Sequence, residues 1–439
     1  MNNIIFYFSD QQRFDTVTPE LMPNLCALAD EGVLFENNFT CQPVCGPARA
    51  CLQSGVYATQ NGCFRNAIAL PEHTKTLAEY FNEAGYQTAY IGKWHLASDS
   101  LPGIGVHCEK TAVPKERQGG YSYWRAADVL EFTSHGYGGF VFDENGNKLD
   151  FTGYRADAIN DFALEFLEKR DKERPFFLFV SQLEPHHQND HGCFEGYKET
   201  VEKYRDYPVP PDLSFLKGDY PEQLPDYLSA INRLDHNVGR LTDKLKKLGL
   251  YENTVIIYSS DHGCHFKTRN LEYKRCCHEN TIHTPLVIRG GEFAGGKKIR
   301  ALTSLIDLPV SLLSIAGIPA PEAYMGFDLR NTLENNARIR DNVFIQISES
   351  QCGRAVRTER YIYSVRSAAK EGYLMSSSPL YFEDYLYDME KDPYQQENLI
   401  KSAAYASVRE ELKNILLREM EKAGEKRPTI RKALWVRKK

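Results

Sequence analysis

Chemistry-bearing side chains recur in this chain wherever an apolar run ends. Asp10-Gln11 follows residues 3–9, and Ser260-Asp261-His262-Gly263 follows residues 254–259. Taken singly, each is as well explained as a loop cap. Taken together, two carboxylates, an amide oxygen and an imidazole would hold one divalent cation. Carboxylate-type oxygens throughout would favour Ca²⁺; Gln11 and His262 lower the charge and add a borderline nitrogen, which makes Mn²⁺ the alternative. The segment Gln42-Pro43-Val44-Cys45-Gly46-Pro47-Ala48-Arg49-Ala50-Cys51-Leu52 comes next. Pro47 suits the first turn of a helix, which puts Cys45 at the positive end of the helix dipole. Arg49 lies one turn on and on the same face, so the Cys45 thiol is expected to be acidic and reactive. Gly92-Lys93-Trp94-His95 follows residues 87–91, Glu184-Pro185-His186 follows residues 176–181, and Lys274 comes thirteen residues after Asp261. Surface lysines and satisfied core histidines would explain any one of these four, but not all four at successive strand ends.

Positioning these groups requires strands that end together. Apolar β-rich runs alternate with amphipathic segments: strands at 3–9, 87–91, 176–181 and 254–259, and helices at 23–31, 74–84, 156–169 and 223–248. That alternation predicts βαβ units and a mostly parallel sheet, with ligands beyond the carboxyl ends of its strands. A last helix at 302–316 precedes the break Gly317-Ile318-Pro319-Ala320-Pro321. Short strands at 343–348, 354–357 and 361–365 and a helix at 404–422 then predict a different architecture. The expected organisation is a catalytic α/β domain over 1–320 and a smaller α+β domain with antiparallel strands over 321–439. The basic tail 426–439, interleaved with Ile430, Leu434, Trp435 and Val436, reads either as a solvated end or as a stripe that docks on a second copy in a homo-oligomer.

With 42% hydrophobic and 26% charged residues in 439, the chain has the composition of a globular protein. Its net charge of −6 offers nothing to nucleic acid or anionic lipid, and no run approaches a membrane span. The eleven scattered cysteines make no paired zinc knuckle and read as buried, reduced thiols. The first residues lack the basic region and cleavage site of a signal peptide, so the expected location is the cytoplasm of a bacterial cell.

Together these motifs resemble the type I, formylglycine-dependent sulfatases of the alkaline phosphatase superfamily. The resemblance is carried by Cys45-Gly46-Pro47-Ala48-Arg49, Gly92-Lys93-Trp94-His95 and Ser260-Asp261-His262-Gly263. Lys274-Arg275 with Glu279, then Pro285-Leu286-Val287-Ile288, extends it, and Leu386-Tyr387-Asp388, Asp392-Pro393 and Asn398-Leu399 continue it into the second domain. It implies a large sheet sandwiched by helices, and a Cys45 oxidised to formylglycine (3-oxoalanine) by a formylglycine-generating or anaerobic sulfatase-maturing enzyme. In such sulfatases the hydrated aldehyde attacks sulfur with one hydroxyl, and the second hydroxyl then loses its proton and expels sulfate. Carried over by position, Asp10, Gln11, Asp261 and His262 would hold the cation with residue 45. Arg49 would orient the nucleophile, and Lys93 and Lys274 would bind sulfate oxygens. His95 would take the proton that drives sulfate expulsion, and His186, rather than His187, would meet the leaving oxygen.

Two positions depart from the commonest family pattern: Gln11 and His262 stand where Asp and Asn are frequent. These residues are similar to those of phosphonate monoester hydrolases and of some bacterial carbohydrate sulfatases. The leading expectation is therefore a sulfuric ester hydrolase acting on a small sulfated substrate. That substrate would be a carbohydrate attacked from its end, or an aryl or steroid alcohol. A phosphonate monoester or phosphodiester hydrolase and a non-catalytic metal-binding homologue are the alternatives. Arg13, Arg65, His187, Asp190, His191, Arg269 and His278 are candidate substrate contacts, each better explained singly by a role in loop structure or by exposure to solvent.

Overall fold

A computed structural model of the protein describes residues 1–99, 105–369 and 372–436. The strand Asn3–Ser9 is buried along its whole length because both its faces are covered. Ile4, Phe6 and Phe8 join Phe177, Phe179 and Ile257 in one core, while Ile5 and Tyr7 join Leu178, Val180 and Tyr258 in another on the opposite face. This strand pairs in parallel with Phe176–Ser181 on one side and Thr254–Ser260 on the other. Gln87–Lys93 and Tyr123–Ala127 continue the parallel run beyond Phe176–Ser181. All these strands therefore point their carboxyl ends to one rim.

The full sheet has ten strands, and its flanks depart from the expected pattern. Leu286–Arg289 is antiparallel to Thr254–Ser260, and the hairpin Tyr137–Asp143 with Lys148–Tyr154 extends the other edge. Helices Cys45–Ser54, Leu77–Glu83 and Asp307–Ile315 pack on one face; Pro23–Glu31, Arg155–Lys169 and Tyr220–Lys247 pack on the other.

Several boundaries shift for local reasons. The second helix begins at Leu77, not 74, where the Glu79 carboxylate accepts from the Thr76 backbone N–H at 2.8 Å. Residues 302–306 are not helical: Thr303–Ser304 pairs with Asn38–Phe39, and the helix starts at Asp307, whose carboxylate accepts from Ser304 N at 2.8 Å. The terminal helix is Ala406–Lys422.

The second sheet runs in the order Asn342–Ile347, Gly353–Thr358, Tyr361–Arg366, Leu380–Asp388, Thr429–Arg431. Its first four strands are antiparallel neighbours, and the last lies parallel to Leu380–Asp388. Part of the basic tail is thus a strand with Ile430 turned into the core, whereas Leu434 and Trp435 are exposed. Residues 437–439 of that tail lie outside the described residues. One face of this sheet packs on Phe39, Ile282 and Leu302 of the main body; the other carries Leu412, Leu416 and Met420 of the terminal helix. All eleven cysteines are free thiols, and no helix among the described residues is long and apolar enough to cross a membrane.

Candidate active site

Cys45 is the first residue of its helix, with Val44 extended before it and Pro47 in the first turn. That helix sits at the carboxyl ends of Asn3–Ser9 and Thr254–Ser260, so the thiol meets groups from both. Cys45 Sγ is 3.4 Å from Asp10 Oδ1, 3.2 Å from His262 Nε2 and 2.8 Å from Lys274 Nζ. Burial alone would push the thiol up, but the charges of Lys274 and Lys93 and a hydrogen bond to His186 hold it well below the usual range.

Beneath the thiol lies a buried layer of charge. Arg49 Nη2 reaches Asp10 Oδ2 at 3.0 Å and Asp261 Oδ2 at 3.4 Å, and its Nη1 donates to Ser181 Oγ at 2.6 Å. Lys93 Nζ lies between Asp10 Oδ2 at 2.9 Å and Glu131 Oε1 at 3.3 Å. Burial and the neighbouring Asp10 push the Asp261 carboxyl up to about 6, so the two carboxylates oppose each other as they stand.

The donor set fits a divalent cation. Asp10, Cys45, Asp261 and His262 offer ligand atoms that all lie within 4.8 Å of one another. His262 Nδ1 lies 2.9 Å from the Gly263 carbonyl, which fixes its proton there and leaves Nε2 with a free lone pair facing Cys45. Asp261 Oδ1 accepts from the backbone N–H groups of Gln11 and His262, while Oδ2 has the Arg49 guanidinium at 3.4 Å and no formed hydrogen bond. A buried carboxylate oxygen held by a long ion pair alone keeps its lone pairs open and suits a metal ligand. Gln11 has φ 69° and lines the space above.

That space is a cleft of about 440 Å³ whose floor is Gln11, Cys45, His95, Glu131, His186 and Lys274. His186 Nε2 lies 3.1 Å from Lys274 Nζ, and burial, then the Lys274 charge, hold this imidazole down at about 4, so it is neutral. An ammonium donating to Nε2 leaves the proton on Nδ1, which has no partner. His95 is held at φ 62° with its N–H on the Asp128 carbonyl at 2.7 Å. Lys93 and Arg49 do not line the cleft; they lie under its floor, on Asp10.

Of the candidate substrate contacts, His187 lines the cleft, against Tyr273 at 4.4 Å between ring centroids. The others are committed elsewhere. Arg13 is buried and paired with Asp15 and Asp212. Arg269 donates to the carbonyls of Gln395 and Tyr394 and so bridges to the second sheet. His278 lies against the Tyr387 hydroxyl at 3.2 Å. Arg65 donates to the Asn66 carbonyl at 3.2 Å. His191 is an exposed residue stacked on His135 beside Asp190 and hydrogen-bonded to Glu195. In these places a cationic or imidazole side chain braces a loop instead of facing the cleft.

Conversely, Glu131, Asn66, Lys267, Tyr273 and Arg275 line the cleft unforeseen. Glu131 had a signal: it stands just past the carboxyl end of Tyr123–Ala127, a parallel strand whose Trp124-Arg125 centre disguises it. Asn66, Lys267 and Arg275 come from irregular loops, which carry no periodic signal.

A sulfatase family model matches residues 2–318, and one for the C-terminal part of N-sulphoglucosamine sulphohydrolase matches residues 270–422. An ulvan-active sulfatase of Formosa agariphila is 30% identical over 96% of this chain and 82% of its own length. An N-acetylglucosamine-6-O-sulfatase of Bacteroides thetaiotaomicron is 26% identical over 94% of this chain and 85% of its own. A protein solved in complex with its substrate D-glucosamine-2-N,6-O-disulfate superposes with a TM-score of 0.80 at 23% identity, covering 96% of this chain and 98% of the other. Fold, charge layer and matched families agree: the chain belongs to the alkaline-phosphatase-like sulfatase family.

Proposed function

We propose that this enzyme cleaves a sulfate monoester at the end of a carbohydrate. Cys45 would be converted to formylglycine by a formylglycine-generating or anaerobic sulfatase-maturing enzyme. Asp10, Gln11, Asp261, His262 and residue 45 would hold one divalent cation, Ca²⁺ or Mn²⁺. The single observation that carries the reading is the placement of Cys45 Sγ: at a helix start, 2.8 Å from Lys274 Nζ and 3.2 Å from His262 Nε2. Sγ stands in for the oxygen that the matured residue would present. The cation, when bound, supplies positive charge that favours the anionic form of that oxygen.

Everything else falls to side chains of this chain. Lys274, 2.8 Å from residue 45, is placed to hold sulfate oxygens as charge shifts onto them. Arg49 and Lys93 hold Asp10 from below and keep its carboxylate ionised. His186, with its proton on Nδ1, is placed to hydrogen-bond the leaving oxygen, and His95 flanks the same floor as a proton acceptor. Tyr273 and His187 offer an aromatic wall for a sugar ring. The carbohydrate reading draws support from relatives named for ulvan and for N-acetylglucosamine sulfate.

Three measurements test it. After co-expression with a maturing enzyme, the peptide containing residue 45 should be about 18 Da lighter than the thiol form, and Cys45→Ala should abolish turnover while the melting temperature holds. The ratio of kcat/KM for 4-nitrophenyl sulfate to that for the monoester 4-nitrophenyl phenylphosphonate decides the transferred group. A preference for phosphonate by orders of magnitude overturns the sulfate assignment.

A further inference from the structure

Glu131 is buried in the floor of the cleft, and only one of its oxygens is used: Oε1 meets Lys93 Nζ at 3.3 Å, whereas Oε2 has no hydrogen-bond partner. Burial would raise this carboxyl, but the Lys93 ammonium beside it holds it down at about 2, so it is an ionised group that can only accept. A buried carboxylate oxygen without a donor is costly, and a site gains by pairing it with a ligand. The cations of the rim are spent elsewhere. Lys267 is paired with Asp219 at 2.9 Å, and Arg275 is clamped between Glu272 and Glu349. Among the described lining residues, Lys274 is the lysine or arginine that no carboxylate pairs, and it stands over residue 45.

Building on the sugar-sulfate reading, we infer that Glu131 is a specificity-determining residue, accepting a hydrogen bond from a hydroxyl or ammonium group next to the sulfate ester. The same carboxylate disfavours a substrate with a second sulfate or a carboxylate at that position, because no unpaired cation is there to meet it. The enzyme therefore selects a ring sulfated once at this locus, with a free donor beside the ester.

The test uses matured protein and 4-nitrophenyl sulfate as the reporter. Hexose or hexosamine sulfates that differ only beside the ester, carrying a hydroxyl or amine, a hydrogen or a second sulfate, are measured as competitors. In the wild type, replacing the donor by hydrogen should raise Ki by about tenfold to a hundredfold, the range of a hydrogen bond to a charged group. A second sulfate should raise it further. In Glu131→Gln the spread should narrow to about threefold or less, whatever change the loss of the Lys93 contact causes in aryl sulfate turnover. Glu131→Ala serves as the second variant if Gln disturbs folding. A wild type indifferent to the neighbouring group, or a spread that survives both substitutions, overturns the inference. A matured wild type that cleaves no sulfate ester overturns the underlying reading instead, and the inference with it.

Discussion

Lys274→Met isolates the contribution of one ammonium group to the reaction. The lysine is 6% exposed, and its Nζ is 2.8 Å from Cys45 Sγ and 3.1 Å from His186 Nε2, so water is largely excluded from both contacts. A preorganised charge-assisted donor of this kind contributes about 2–4 kcal/mol to transition-state stabilisation. At roughly 1.4 kcal/mol per tenfold, the substitution should lower kcat/KM by about 30- to 1000-fold. Met keeps the length and apolar stem of the side chain, so folding should change little. The assay is kcat/KM over a series of aryl sulfates, on protein whose residue-45 maturation has been verified by peptide mass. Because Nζ also touches His186, the loss should grow as the leaving group becomes poorer. A fall of less than about threefold for every ester would refute the argument that this charge acts on the reacting atoms. An equal fall accompanied by a large drop in melting temperature would show a packing role instead.

Two further predictions concern stability. Burial pushes the Asp384 carboxyl up to about 7, with Arg366 opposing only in part, while an unfolded aspartate titrates near ~3.9. Between those values the folded state holds a proton that the unfolded state has lost, so stability falls as pH rises through that window. Asp384→Asn should flatten the difference in melting temperature between pH 5 and pH 8 and stabilise the protein at the higher pH by up to about 4 kcal/mol; an unchanged difference would contradict the assignment. Arg13→Met should cost about 3 kcal/mol in denaturant unfolding, because it strands Asp212 and Asp15. Intact stability with a raised KM would return Arg13 to the substrate.

The cluster at the candidate site was legible in sequence to the extent that its parts terminate strands. Asp10, Lys93 and Asp261 each stand at or just past the end of a strand buried on both faces, with an apolar centre that marks it in the sequence. Cys45 announced itself through Pro47 and the helix start. The edges of the sheet were not legible. Tyr137–Asp143 and Lys148–Tyr154 are half-exposed and glycine-interrupted, and Val33–Phe35 and Thr303–Ser304 are too short to show a period. Most of the candidate substrate contacts lie away from the cleft for another reason. A basic residue near a motif is as apt to brace a loop as to face a ligand, and Arg13, Arg269 and His278 found carboxylate, carbonyl and hydroxyl partners that only tertiary structure brings within reach.

The second sheet has a share in shaping the cleft that its position in the chain conceals. The loop joining Asn342–Ile347 to Gly353–Thr358 reaches the rim of the cleft, where Glu349 is held at φ 65°. One oxygen of Glu349 accepts from Asn66 N at 2.7 Å, and Asn66 Oδ1 in turn accepts from Gly46 N at 2.8 Å, which satisfies an otherwise orphaned donor at the start of the Cys45 helix. Its other oxygen pairs with Arg275, itself at φ 68° and next to Lys274. Ser350 and Gln351 donate to the Arg275 carbonyl, each at 3.3 Å, and Arg275 N donates to Pro43 O, also at 3.3 Å. Left-handed backbone at two non-glycine residues costs energy, and it persists only where surrounding contacts over-determine it. Here those contacts tie the segment bearing Cys45 and the segment bearing Lys274 to one carboxylate in a loop of the C-terminal sheet. The 2.8 Å approach of Lys274 to residue 45 is thus set jointly by both sheets, and the α/β body alone would not fix it.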